Sequence, residues 1–514
     1  MKIILMVLFL FCMTMAKYLY VATDGDNAVT YENNDIDHPW LTIEHGFYQC
    51  NLGDTLYIRG GVYTQLYPII TRGDYWVGTH GGNTDEIPIS CESGTAENPI
   101  LIRGYASENV IIDCSSIEIF CELDNISYWT FRGLNFINAN IVFYIGDNTS
   151  NSHHNEFSHL TIHRNRGGDN AGGVTIVNGN AEYTVIDSCE FVGPEMMASL
   201  FSANTCGIYF KAVQKLKIRH CRIDSVSIGI YSKHLNITVD TTDIEVAGCY
   251  ITNTGRNALN WNSRHAWVHD NLMVNTGGGI ANANSNGGAG GDYNKFEHNT
   301  LYDGVFSLKG ETTAPETDSG SKHDTLLNNI LMGELTIHEF APTVIHYTVM
   351  DYNAYGLPGD VITEYNTSLV YTLPEWQEHY GQSVNSQQGT VVFASETPSL
   401  VTDFALDPSS IGYQGCADGS DMGARIDSVF QGFSSGEQTF TPTDSTDHCL
   451  VGLRYRTGRT LNVPIKSKYA GAVRAFLLKD ILLDSTDNLN ENDEASLSLP
   501  EAKSGRYSII TVTQ

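Results

Sequence analysis

Two short phrases of the chain set a tyrosine and a lysine at the same spacing: Gly207-Ile-Tyr-Phe-Lys211 and, 22 residues on, Gly229-Ile-Tyr-Ser-Lys233. Alternate side chains of an extended strand share a face. With Ile208 and Phe210 turned inward, Tyr209 and Lys211 face outward. Stacking the two phrases puts Tyr231 over Tyr209 and Lys233 over Lys211. The run Ala258-Leu-Asn-Trp-Asn262 then extends the tyrosine column with Asn260 and the lysine column with Asn262, and Arg264 and His265 follow within reach of the same edge.

Aromatic faces cover the apolar side of a sugar ring, and amides bond its hydroxyls. Tyr209, Tyr231, Asn260 and Asn262 are therefore the expected substrate-binding set. Two adjacent lysines make a local positive spot suited to the carboxylate of a uronic acid. The same groups can do chemistry, because removing a proton next to a carboxylate needs that carboxylate neutralised and a base at hand. Lysine serves as a base when neighbouring positive charge and partial burial lower its pKa. Lys211, Lys233, Arg264 and His265 are the catalytic candidates, and His265 needs the least shifting. The competing account is that outward Lys and Tyr are solvated surface repeated by ancestry.

Hard oxygen ligands lie close by in Asp240, Asp243 and Glu245, the last two on one outward face if Ile244 and Val246 point inward. They are the expected place for Ca²⁺. Lys217 stands one repeat earlier at the place of Glu245, so a cross-strand ion pair is the alternative.

The elements that would hold these residues show as a repeat. An eight-residue phrase, apolar at its third and last positions, recurs at Trp129–Phe136, Asn155–Ile162, Thr184–Phe191, Leu216–Ile223, Ile244–Ile251, Ala266–Met273, Asn294–Leu301 and Asp324–Leu331. A weaker ninth copy is Tyr347–Ala354. Third-position anchors, Phe131 to Val349, are spaced by 26, 29, 32, 28, 22, 28, 30 and 23 residues. Each copy is expected to be a strand with one buried face. The sixth position runs Leu134, Leu160, Cys189, Cys221, Cys249, Asn271, Asn299, Asn329, Tyr352. Asparagines at equivalent points of stacked coils can bond one another at a spacing of ~4.8 Å, and the cysteines then fill buried apolar space. Helical periodicity is absent.

With these phrases, the opening Tyr18–Ala28, Pro39–Ile43 and Leu52–Tyr63, then Pro99–Ala106 and Val110–Ser115, the chain resembles secreted right-handed parallel β-helix proteins of the pectate-lyase-like superfamily. Asp403–Asp407 with Asp421–Arg425 is similar to that group's closing coil. The resemblance covers about residues 18–425 and implies an all-β, single-stranded solenoid, put at about 12 coils from the repeat length. It implies a polysaccharide lyase acting by β-elimination on a uronate-containing glycan. A glycoside hydrolase and a non-catalytic glycan-binding or surface-structural coil remain open, since one scaffold serves all three. No Asp-Asp or Gly-His-Gly occurs, against the polygalacturonase pattern, and no Arg-x-Pro-x-x-Arg of the main pectate lyase group is present.

The rest of the chain bounds these readings. Lys2, the apolar run Ile3–Cys12 and the small residues Thr14 and Ala16 fit a secretory signal at 1–16. Residues 17–54 are expected to cap the coil, 55–430 to form it, and 431–514 to be a small β-rich appendage with an acidic flexible segment. With 59 Asp+Glu against 29 Lys+Arg and a formal charge of −30, binding to nucleic acid is disfavoured, and no later apolar stretch is long enough for membrane insertion. The expected partner is a polysaccharide, most simply an acidic one, outside the cell. Among the eleven cysteines, Cys114 with Cys121 and Cys416 with Cys449 are plausible disulfide partners in that compartment.

Overall fold

The computed structural model describes residues 16–70, 91–146, 151–164, 170–177, 181–193, 204–233, 243–282, 291, 293–308, 323–337, 348–364 and 369–430, together with the backbone of six strands between 448 and 513. The chain divides into two compact units, Met1–Ser434 and Ser435–Gln514. Residues 1–15 of the expected signal lie outside the described part, as does Asp240.

The first unit is a right-handed parallel β-helix with three sheets of 12 strands each. One coil shows the plan. Lys217–Arg219 belongs to sheet 1, Arg222–Asp224 to sheet 2 and Ile228–Lys233 to sheet 3, and Glu245–Ala247 re-enters sheet 1. Strands of successive coils pair in parallel register, as in Ile186↔Ile218↔Val246↔Val268, and only the last strand of sheet 3, Leu369–Tyr371, is antiparallel among the described coil strands. Inward residues such as Phe131, Phe157, Ile218 and Phe296 are fully buried. Phe131 and Phe157 stack at 5.4 Å and 3°.

The repeating phrase is not one strand but two, joined by a corner. Its fifth residue is left-handed in coil after coil: Gly133 (φ 66), His159 (54), Ser188 (53), His220 (50), Gly248 (62), Asp270 (56), His298 (53) and Asn328 (59). A single such residue re-aims the chain from sheet 1 to sheet 2. The sixth residue then points inward and builds the ladder. Asn271 Nδ2 donates to Asn299 Oδ1 (2.9 Å), Asn299 Nδ2 to Asn329 Oδ1 (3.1 Å) and Asn329 Nδ2 to Asn353 Oδ1 (2.9 Å). The fourth rung is thus Asn353 rather than Tyr352. The ninth copy is displaced by one residue: Met350, not Val349, pairs with Leu326 and enters the core, and Val349 is exposed.

Cysteines continue the ladder toward the N-terminus. Cys249 Sγ lies 3.8 Å from Ile218 O, the place at which Asn271 Nδ2 meets Val246 O at 3.0 Å. Cys114, Cys121 and Cys416 are free thiols, and the sulfurs of Cys114 and Cys416 face the backbone carbonyls of Ile112 and Asp421. The disulfide expected between Cys114 and Cys121 is therefore not formed, and the Cys449 side chain lies outside the described residues.

Helix α1 (Ile43–Gln49) caps the N-terminal end, with Phe47 against Trp129 at 5.6 Å, and Tyr18–Val21 already forms the first rung of sheet 1. A Cβ on Gly46 would lie 2.8 Å from Leu56 Cδ2, so the helix lies directly on that rung. Helix α2 (Leu373–Tyr380), started by a Thr372/Glu375 capping box and ended at left-handed Gly381, closes the other end with buried Trp376. Residues 389–430 are not a further coil. They fold back over the outside of sheet 2, burying Phe393, Phe404 and Met422 against Leu272, Val274 and Tyr302. The second unit contains a four-stranded antiparallel sheet and a two-stranded pair, and its strand Ile481–Leu489 runs through much of the acidic stretch expected to be flexible.

Candidate active site

Sheet 3 sets the two phrases side by side. Tyr209 pairs with Tyr231, Lys211 with Lys233 and Tyr231 with Asn260, and Asn260 is followed by Ala281. The two ring centroids are 5.5 Å apart at 70°, edge to face. The rings are not an open platform, since Tyr209 is 4% and Tyr231 5% exposed. With Cys206 and Ile228 they form an apolar cluster separate from the coil interior.

A bend in sheet 3 makes that cluster. Thr175 Oγ1 accepts from Gly172 N at 2.9 Å and donates to Gly172 O at 3.1 Å, which bends the strand Ala171–Val177 between them. A Cβ on Gly172 would come within 2.6 Å of Tyr209 N, so only glycine allows the approach. Just before this strand, Asn170 Oδ1 accepts from Lys233 Nζ at 3.1 Å. The same oxygen accepts from Asn204 Nδ2 at 3.3 Å, and Asn204 Oδ1 accepts from Arg256 Nη1 at 2.6 Å. Sequence reasoning missed Asn170, Asn204 and Arg256. Lys211 Nζ, in contrast, has no hydrogen bond among the described residues. Partial burial, and then the charge of Lys233, hold Lys211 below the ordinary lysine pKa.

The remaining candidates lie elsewhere. The strand bearing Asn260 ends at Trp261. Asn262 therefore leaves the lysine column: it is 2% exposed and its Nδ2 donates to Ser232 O at 3.1 Å. His265 is a left-handed corner residue (φ 51), and its exposed ring stacks on Tyr293 at 5.0 Å and 9°. Tyr293 stacks in turn on His323 at 4.6 Å, so His265 is part of an aromatic pile along the outer corner leading into sheet 1. Arg264 stands half-buried at the same corner.

Of the expected cation ligands, Asp243 and Glu245 are among the described residues. Asp243 is an exposed corner residue. Glu245 is gripped by Arg219 through Nε–Oε1 (3.1 Å) and Nη2–Oε2 (2.6 Å), with His269 Nε2 at 3.6 Å. Arg219, not its neighbour Lys217, is thus the partner. His269, then Arg219, hold the Glu245 carboxyl at about 2 against partial burial. A Ca²⁺ cage needs six to eight oxygens free to turn to the ion, and a carboxylate committed to a guanidinium does not supply them. Among the described residues no group of three His, Cys, Asp or Glu side chains could hold a metal.

No protein-family model matches the chain. It is similar to pectate lyase PEL9 of Emericella nidulans, 31% identical over 160 residues that make up 28% of this chain and 33% of that protein. The chain thus spans about a third of the length of the curated relative it matches. Similar solved structures include a rhamnogalacturonan lyase (15% identity, TM-score 0.46, covering 66% of this chain and 87% of that one). Pectate lyase Pel9A (16%, 0.45, 77% and 88%) and PfbA, a surface adhesin of Streptococcus pneumoniae (10%, 0.42, 62% and 86%), are further examples.

Proposed function

We propose that the protein is a polysaccharide lyase acting on a uronate-containing glycan, with Lys211 as base and Lys233 as the group that neutralises the substrate carboxylate. The carrying observation is the unequal treatment of two adjacent lysines. Lys233 is oriented by Asn170, while Lys211 is left without a hydrogen bond among the described residues and is disposed toward its neutral form. The identity to a pectate lyase over 160 residues supports the same reaction class.

In this mechanism the substrate carboxylate pairs with the Lys233 ammonium, which stabilises negative charge developing on the adjacent carbon. Lys211 Nζ takes the proton from that carbon. The electron pair closes a double bond to the next carbon as its bond to the glycosidic oxygen breaks, and the departing oxygen takes a proton from solvent. Asn260, half-exposed beside Tyr231, is placed to bond a sugar hydroxyl. Arg256 adds a third positive charge behind Asn204.

Offered pectate, alginate and a glycosaminoglycan in turn, the protein should generate the ultraviolet absorbance of an unsaturated uronate on at least one. Lys211→Ala should lower that rate by about 10²–10⁴-fold, the usual contribution of a positioned base. New reducing ends without the absorbance would replace the proposal with hydrolysis. Binding without any turnover would replace it with a non-catalytic coil.

A further inference from the structure

Sheet 1 carries a second surface of unusual composition, on a different sheet from the lysine pair and at the N-terminal coils. One outward column runs Tyr20, Tyr57, Arg103, Arg132 through four successive strands. Tyr20 and Tyr57 stack at 5.5 Å and 24°, Tyr105 meets Tyr57 edge-on at 5.4 Å, and Tyr18, 65% exposed, lies 5.8 Å from Tyr57. The result is a tyrosine platform with two arginines at its edge.

Among the described residues those arginines lack the partners that fold stability would give them. Nearby Arg59 shows what a matched arginine looks like here: Glu108 holds it through bonds of 2.8–3.1 Å. Arg103 has only a 3.4 Å contact to Gly104 O and lies 5.8 Å from the Tyr57 ring centroid. The Arg132 side chain is exposed and makes no hydrogen bond or ion pair among the described residues. Glu156, one strand on in the neighbouring column, does not pair with it. Like charges directly opposite on adjacent strands, about 4.8 Å apart, are destabilising. A chain with 59 acidic and 29 basic residues had ample means of neutralising them.

We propose that Tyr18, Tyr20, Tyr57, Arg103 and Arg132 form a second glycan-binding surface for a stretch of acidic polysaccharide, remote from the lysine pair. Ring faces take the apolar side of sugar residues, and the arginine forks take their carboxylates in bidentate pairs. A neutral glycan would leave the two charges unmatched, so the ligand is a uronate-bearing one. The inference agrees with the proposed activity but stands apart from it, because it concerns binding on its own.

The test is affinity electrophoresis and calorimetry with sodium polygalacturonate, using the full chain carrying Lys211→Ala and Lys233→Ala so that no cleavage intervenes. Adding Arg103→Gln and Arg132→Gln should weaken binding by about tenfold or more. The Arg103→Lys and Arg132→Lys pair should restore part of it, and neutral galactan should not bind this surface. The melting temperature of the glutamine pair should equal or exceed that of its parent, since like charges have been removed. In the otherwise native chain the glutamine pair should leave turnover of short soluble oligosaccharides unchanged. Unchanged polygalacturonate affinity would overturn the proposal, as would selective binding to phosphatidylserine vesicles in its place. Failure of the native chain to cleave any glycan would sink the lyase reading alone and leave this measurement standing.

Discussion

A lysine can take a proton from carbon only when neutral, so the pH dependence of turnover reports on Lys211 itself. Its folded pKa lies below the usual value, first through partial burial and then through Lys233. The kcat/KM of the native chain should therefore rise with pH along a limb that lies below the ordinary lysine range. Lys233→Ala removes the neighbouring charge, and the limb should move to higher pH as well as drop in height. A limb that stays in place while the rate falls would mean that Lys211 is not the titrating base. The partnership of these two lysines was legible in the sequence because both sit on one strand pattern repeated at one interval. The group that orients Lys233 was not. Asn170 is 63 residues away along the chain, next to the strand that Gly172 and Thr175 bend. Local patterning carries no sign of such a bend. Asn262 was misplaced for a related reason: alternation says where a side chain points while a strand lasts, and this strand stops one residue earlier.

At the scale of the element, the repeating phrase held more information than its alternation suggested. Its third and eighth residues are both buried, yet an interval of five would put them on opposite faces of one strand. That odd interval is the signature of the left-handed corner between sheets 1 and 2, and it accounts for the weakness of the ninth copy, whose frame is set by Met350 and Asn353. The ladder was legible in kind, since side chains at equivalent points of stacked coils must meet. Its energetic weight can be measured at Asn299. The Oδ1 of Asn299 accepts from both Asn271 N (3.2 Å) and Asn271 Nδ2 (2.9 Å), and its Nδ2 serves Val268 O (2.9 Å) and Asn329 Oδ1. Asn299→Ala leaves several buried groups without partners at once, and each such loss costs about 1–3 kcal/mol. The variant should unfold at a clearly lower urea midpoint, by roughly 3 kcal/mol or more, with an unchanged m-value. A loss under about 1 kcal/mol would mean that the neighbouring rungs close over the gap.

For the whole molecule, the segment folded back over sheet 2 is tied to the coils it covers through one buried carboxylate. Asp270 is 1% exposed and left-handed at its corner, and Arg425, 155 residues later, binds it in two-pronged fashion with Nε–Oδ1 at 2.6 Å. His269 Nδ1 lies 2.7 Å from its other oxygen, which also meets Arg425 Nη2. Burial alone would raise the Asp270 pKa, but Arg425 and His269 hold it at about 2, as His269 and Arg219 hold Glu245. A carboxyl whose folded pKa is depressed contributes stability above its unfolded value near ~4, and that contribution disappears as pH falls through the folded value. For a shift of this size the contribution is about 2–3 kcal/mol at Asp270, and less at the partly exposed Glu245. Stability should accordingly hold down to about pH 5 and then decline between about pH 4 and pH 2. In Arg425→Gln the native state should already be weaker at pH 7, and the decline on acidification should be shallower, because Asp270 no longer differs as much between folded and unfolded chains. Urea denaturation at pH 7 and near pH 3 distinguishes the two proteins. Equal acid slopes would assign the pH dependence to other carboxylates and leave Arg425 as a packing contact for the returning segment.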